Sequence, residues 1–127
     1  MIGTWKFNPE KSTSTGPLAR SMTLTVARDG QNIVNTNNGV DAQGHAFKIV
    51  YQHIYDGMPH PTTGTPDHDS TSYTRIGNTL NAIRFKDGKP VEVSQGVIIP
   101  DKTFTVNAEG IAVSGQPYHY FLVYDRQ

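Results

Sequence analysis

Turn signals recur along this chain at short, even intervals, and no stretch between them carries helical periodicity. The signals are Asp29-Gly30, Gln43-Gly44, Asp56-Gly57, Gly77-Asn78, Asp87-Gly88, Pro100-Asp101, Glu109-Gly110 and Ser114-Gly115. Runs rich in Val, Ile, Thr, Tyr and Phe lie between them. Short strands with such turns build a sandwich or a barrel. The expected strands are 3–8, 20–28, 31–41, 45–55, 70–76, 79–86, 90–99, 103–108 and 117–125, with Ala112 and Val113 as an extension of the eighth. Hairpins joined in sequence favour an up-and-down meander. Closing the meander removes exposed edges. The expected fold is therefore all-β: one antiparallel up-and-down barrel of about eight or nine strands, spanning 1–127 as one domain. The one helical turn expected is Asn8 to Ser12, with Asn8 as cap and Pro9 in its first position.

Composition narrows the function. Lys+Arg and Asp+Glu are both 11, so the net charge is zero and the cations are scattered. That is not the basic footprint of a nucleic-acid partner. No apolar run approaches the length of a membrane-spanning helix. With no Cys, disulfides, thiolate catalysis and Cys-based metal sites are excluded. The hydrophobic fraction of 35% is low for a globular domain and suits a partly polar interior.

Gly3-Thr4-Trp5 resembles the Gly-x-Trp signature of the lipocalins. In that family the Trp plugs the closed barrel end and an Arg near the end of the last strand packs across it. The resemblance implies a structural floor made of Trp5 and Arg126. The whole chain also looks like a group of small bacterial lipocalin-like (calycin-type) proteins of unassigned function. The matching stretches are Gly3-Thr4-Trp5-Lys6, Asn8-Pro9-Glu10-Lys11-Ser12, Tyr55-Asp56-Gly57, Thr63-Gly64-Thr65-Pro66-Asp67, Arg75-Ile76, Lys86-Asp87-Gly88-Lys89 and Val123-Tyr124-Asp125-Arg126. Members of that group are commonly exported. The resemblance thus implies a periplasmic or secreted protein whose signal has been removed, a cytoplasmic home staying open. A more distant similarity, of scaffold alone, is to the cofactor-free trimeric barrel pyocyanin demethylase.

Strand side chains alternate between two faces. On 45–55 the face His45, Phe47, Ile49, Tyr51, His53, Tyr55 is expected inside, because Lys48 and Gln52 prefer water. Met22, Leu24 and Val26 are expected inside on 20–28. On 90–99, Val91, Val93, Gln95, Val97 and Ile99 share one face and Glu92, Ser94, Gly96 and Ile98 the other. On the last strand both faces are apolar, and the choice between His119, Phe121, Val123 and Tyr118, Tyr120, Leu122, Tyr124 stays open. The ligand-binding candidates are Phe47, Ile49, Tyr51, His53, Tyr55, Tyr73, Arg84, His119 and Phe121. Tyr and His offer flat faces and hydrogen bonds, which suits a small apolar or planar aromatic ligand. A filled interior is the alternative.

The second functional reading is a cofactor-free enzyme. His53 or His119 would carry the proton. Tyr51, Tyr55 or Tyr73 would hold a substrate oxygen, and Glu92 or Arg84 would join if its face turns inward. No metal is expected, since no His-x-Glu-x-x-His or similar spacing occurs. A third, compatible reading is a homo-oligomer, dimer or trimer, associating through an outer Tyr and Val surface. Segments 9–19 and 56–69 are expected as loops at a barrel mouth. Asn37-Asn38-Gly39-Val40 is expected to mark a bulge or twist in a long strand, and Gly96 a bulge or barrel bend.

Overall fold

The computed structural model describes every residue from Met1 to Gln127. Its strands are β1 (Gly3–Phe7), β2 (Thr13–Ser14), β3 (Ser21–Asp29), β4 (Asn32–Val40), β5 (Ala46–His53), β6 (His60–Thr63), β7 (Ser70–Ile76), β8 (Thr79–Lys86), β9 (Lys89–Ile99), β10 (Thr103–Ile111) and β11 (Pro117–Arg126). Each strand from β3 onward pairs antiparallel with the next. β1 pairs with both β3 and β11 and so closes the sheet into a barrel. The expected closed meander forms, with more strands than expected. The additions are β2, which lies against β11, and β6, inside the segment read as a loop. β10 ends at Ile111, and Ala112 then closes the turn by donating to the Gln116 carbonyl.

The turn after β1 forms as the sequence predicts. Pro9–Lys11 is a 3-10 turn, and the Asn8 side chain accepts a hydrogen bond from the Lys11 amide at 3.2 Å. Ser12 Oγ then donates to the Asn8 carbonyl and accepts from the Val123 amide. These bonds run β2 up along β11. Residues 15–20 cross from there to β3, packing Leu18 and Ala19 against the core.

The core gathers at one end. Trp5, Phe7, Leu24, Val26, Ile33, Leu80, Ile98, Phe104 and Tyr124 form one buried cluster. Arg126 lies 5.4 Å above the Trp5 ring, and the Trp5 indole donates to the Met1 carbonyl at 3.0 Å. These contacts build a floor from the residues at the two ends of the chain.

A single register shift decides the inward face of β9. It falls between Arg84 and Phe85, where β8 meets β9. Pro90 pairs with Phe85 there and has no N–H to give the ladder. Past the shift Arg84 stands opposite Glu92. A one-residue slip inverts a strand's faces, so Glu92, Ser94, Gly96 and Ile98 turn inward. The bulges expected at Asn37 to Val40 and at Gly96 are absent. Pairing is regular there, and both glycines instead make room for rings, Phe47 over Gly39 and Phe104 over Gly96. None of the tyrosines is exposed. The expected outer Tyr and Val surface is therefore aliphatic, with Ile83, Val93, Val97 and Ile99 exposed.

Candidate functional site

Above the floor the barrel is hollow. The cavity encloses about 310 Å³ and is lined by five of the six tyrosines, Tyr51, Tyr73, Tyr118, Tyr120 and Tyr124. Met22, Leu24, Ile49, Leu80, Ala82, Phe104, Val106 and Leu122 supply the aliphatic and aromatic remainder. Asn35, Asn37 and Ser94 add polar groups to the wall. Thr65, Asp67 and His68, from the connection between β6 and β7, lean over it.

One polar cluster stands in this wall. Arg84 and Glu92 form an ion pair whose side chains are only 11% and 6% exposed. Glu92 Oε2 accepts from Arg84 Nη1, and Oε1 accepts from the hydroxyls of Tyr118 and Tyr120, each at 2.9 Å. The guanidinium lies 4.9 Å over the Tyr51 ring. Tyr51 in turn stacks on His68, its hydroxyl 3.3 Å from Nε2. Burial, the largest cause, raises both Tyr118 and Tyr120 above the usual phenol range. Both hydroxyls therefore keep their protons and remain committed to Glu92. Tyr118 and Tyr120 lie parallel, 5° between ring planes, because Gly110 leaves space under the Tyr118 ring.

The sequence-predicted residues divide into four groups. Ile49, Tyr51, Tyr73 and Arg84 line the cavity. His53 and Tyr55 pack below it: His53 is 1% exposed, stacked on Tyr73 at 4.0 Å and edge-on to Tyr55 at 4.7 Å. Tyr55 has left its strand in a positive-φ conformation and carries Arg75 on its outer side. Phe47 keeps the inward parity but sits over Gly39, away from the cavity. His119 and Phe121 are on the wrong face. His119 is exposed and bonds Asn107 Oδ1 at 2.7 Å, and Phe121 stands opposite Thr13 of β2. The inward face of β11 is instead Tyr118, Tyr120, Leu122 and Tyr124. Neither histidine proposed as a proton carrier reaches the cavity. His45 and His60 pair with Asp41 and Asp56 on the surface side.

Strand alternation carried the sequence reading: it gave Glu92 only a conditional part, left the tyrosines of β11 as one of two open faces, and missed His68. Two signals bore on them. Pro90 inside a strand marks a bulge, and a bulge re-aims β9. Arg126 and His119 are an odd number of residues apart, so a regular strand cannot place both inside.

The two buried histidines give a pH dependence. Burial, and after it the neighbouring His60, holds His53 at about 4 against an ordinary 6.5. Burial and then Arg84 hold His68 at about 4. As pH falls through 6.5 the unfolded chain takes up these protons before the folded one does. Stability is then fully present above about pH 6.5 and is lost as pH falls toward 4. His53 alone accounts for about 3 kcal/mol of that loss. Urea unfolding of the native chain at pH 7 and pH 4 reads the total, and His53→Phe should flatten the slope by that amount. An unchanged slope in the variant would show that the His53 ring is solvated.

Comparison with solved structures bears on the fold. The chain superposes on zebrafish ileal bile acid-binding protein, crystallised in complex with cholic acid, with a TM-score of 0.60. Identity is 9%, over 99% of this chain and 98% of that one. The fold is a lipocalin-like barrel. Lobster apocrustacyanin A1 is similar at a TM-score of 0.47 and 13% identity, over 99% of this chain and 60% of that one. A redesigned β-barrel, mFAP1, bound to DFHBI, is similar at 0.46 and 16%, over 98% and 94% of the two chains. No protein-family model and no curated protein sequence matches the chain.

Proposed function

We propose that this lipocalin-like barrel binds a small apolar or planar aromatic compound inside its cavity. The observation that carries this reading is the roughly 310 Å³ hollow walled by five tyrosines above a closed floor. A volume in this range, mostly apolar with a few placed polar groups, has the character of a small-molecule site. The tyrosine faces supply flat contact area at little entropic cost. The zebrafish protein of similar fold was crystallised in complex with cholic acid, which supports a small-molecule reading of this architecture.

The test uses N-phenyl-1-naphthylamine, an uncharged aromatic probe whose emission rises in apolar surroundings. The native protein should bind it saturably. Ala82 sits mid-wall between Tyr73 and Ser94, and it is 5% exposed. Ala82→Trp puts an indole into the hollow and should weaken the probe at least tenfold, with the β-sheet circular dichroism retained. Equal binding by the folded variant places the probe outside the barrel and ends this reading.

A further inference from the structure

The buried Arg84 is the cavity's one guanidinium, and it is already neutralised from within the wall. Glu92 takes its Nη1, and the Tyr51 ring covers one face of the guanidinium. A carboxylate or sulfonate arriving at Arg84 would therefore meet Glu92 at short range in a poorly solvated space, where like charges repel strongly. Asp67 adds a second carboxylate to the cavity lining.

The hydroxyls nearby carry a second constraint. Tyr118 and Tyr120 both spend their protons on Glu92. Toward the cavity they have only oxygen lone pairs left, so they accept and do not donate. The polar end of the hollow thus favours a ligand that brings its own donor.

We infer that the barrel selects uncharged aromatic compounds bearing a hydroxyl or N–H donor and rejects anions of the same shape, with Glu92 as the residue that sets this charge rule. The inference rests on the proposed internal site and names the chemistry that site takes. Glu92 acts here as a specificity determinant: it neutralises the charge of the guanidinium that an acidic ligand would need.

Two probes with one aromatic core test it. N-phenyl-1-naphthylamine is uncharged and carries an N–H; 1-anilinonaphthalene-8-sulfonate is the same framework with an anionic group. The native protein should bind the uncharged probe at least tenfold more tightly. Glu92→Gln keeps acceptor capacity for Tyr118 and Tyr120 while freeing the Arg84 charge. It should strengthen the sulfonate at least tenfold relative to the uncharged probe. Native protein that binds both probes equally overturns the charge rule while leaving an internal site intact. Failure to bind either probe overturns the internal site itself, and the rule with it. Should Glu92→Gln not fold, the native ratio alone decides, and Arg84→Gln gives the reciprocal: the sulfonate weaker still relative to the uncharged probe.

Discussion

A Glu92→Ala protein is expected to unfold in urea with about 3–5 kcal/mol less stability than the native chain, because the change leaves a buried guanidinium without its counter-charge. Glu92 is 6% exposed and accepts from three donors, Arg84, Tyr118 and Tyr120. Alanine strands all of them. The Tyr51 ring beneath Arg84 returns a small part of the loss through cation–π attraction. For a domain whose total stability lies in the range of about 5–15 kcal/mol, that is a large fraction. Removing both charges behaves differently. Arg84→Met combined with Glu92→Leu abolishes the desolvation cost along with the attraction, and the double variant should recover most of the loss, short of about 1–3 kcal/mol for the acceptor withdrawn from Tyr118 and Tyr120. With Arg84→Met and Glu92→Leu also made singly, the native chain, the two single variants and the double make a double-mutant cycle. A Glu92→Ala cost below about 1 kcal/mol would mean that water reaches the pair freely.

If the double variant recovers that much, the ion pair is not kept for stability. Its retention then points to the cavity, where it presents a neutral, hydrogen-bonded wall to whatever enters. The same cluster explains why the last strand is aromatic on its inner face. Tyr118 and Tyr120 are the length needed to reach Glu92 across the width of β10. Gly110, which pairs with both Tyr118 and Glu92, has no side chain to obstruct them.

Much of the architecture was legible because local signals were strong and mutually consistent. Turn dipeptides set most strand ends, and alternation on β5 separated Ile49 and Tyr51 from Lys48 and Gln52. Asn8 and Pro9 announced the 3-10 turn. The Gly3-Thr4-Trp5 opening with Arg126 pointed to the two sides of the floor. What was hidden depended on pairing over distance. β2 is two residues long and β6 holds Pro61 among threonines, so neither has a pattern of its own. They become strands only because β11, β5 and β7 offer partners. The inner face of β9 followed from a bulge at Pro90 rather than from hydrophobicity, which would have put its valines inside. His119 was misplaced because both faces of β11 are apolar, and only the parity set by Arg126 distinguishes them.

That parity makes Trp5 the second place where a single change should act strongly. Trp5 is 1% exposed and meets Phe104 edge-on, 6.2 Å between centroids. Its neighbours in register are Leu24 on β3 and Arg126 on β11. It therefore joins the strands on either side of β1, where the barrel closes. Trp5→Ala should cost about 3–5 kcal/mol, the range for deleting a large buried aromatic whose cavity cannot fully collapse. Trp5→Phe should cost less, retaining most of the apolar area but losing the hydrogen bond to the Met1 carbonyl, about 1 kcal/mol by itself. Arg126→Ala removes the guanidinium from the ring face and should cost about 0.5–2 kcal/mol. Because Trp5 is the chain's only tryptophan, unfolding is best followed by circular dichroism. The order Ala, then Phe, at position 5 distinguishes a packed floor from a merely polar cap. A Trp5→Ala protein within about 1 kcal/mol of native would mean that the barrel closes without its indole, and that the cavity above has some other base.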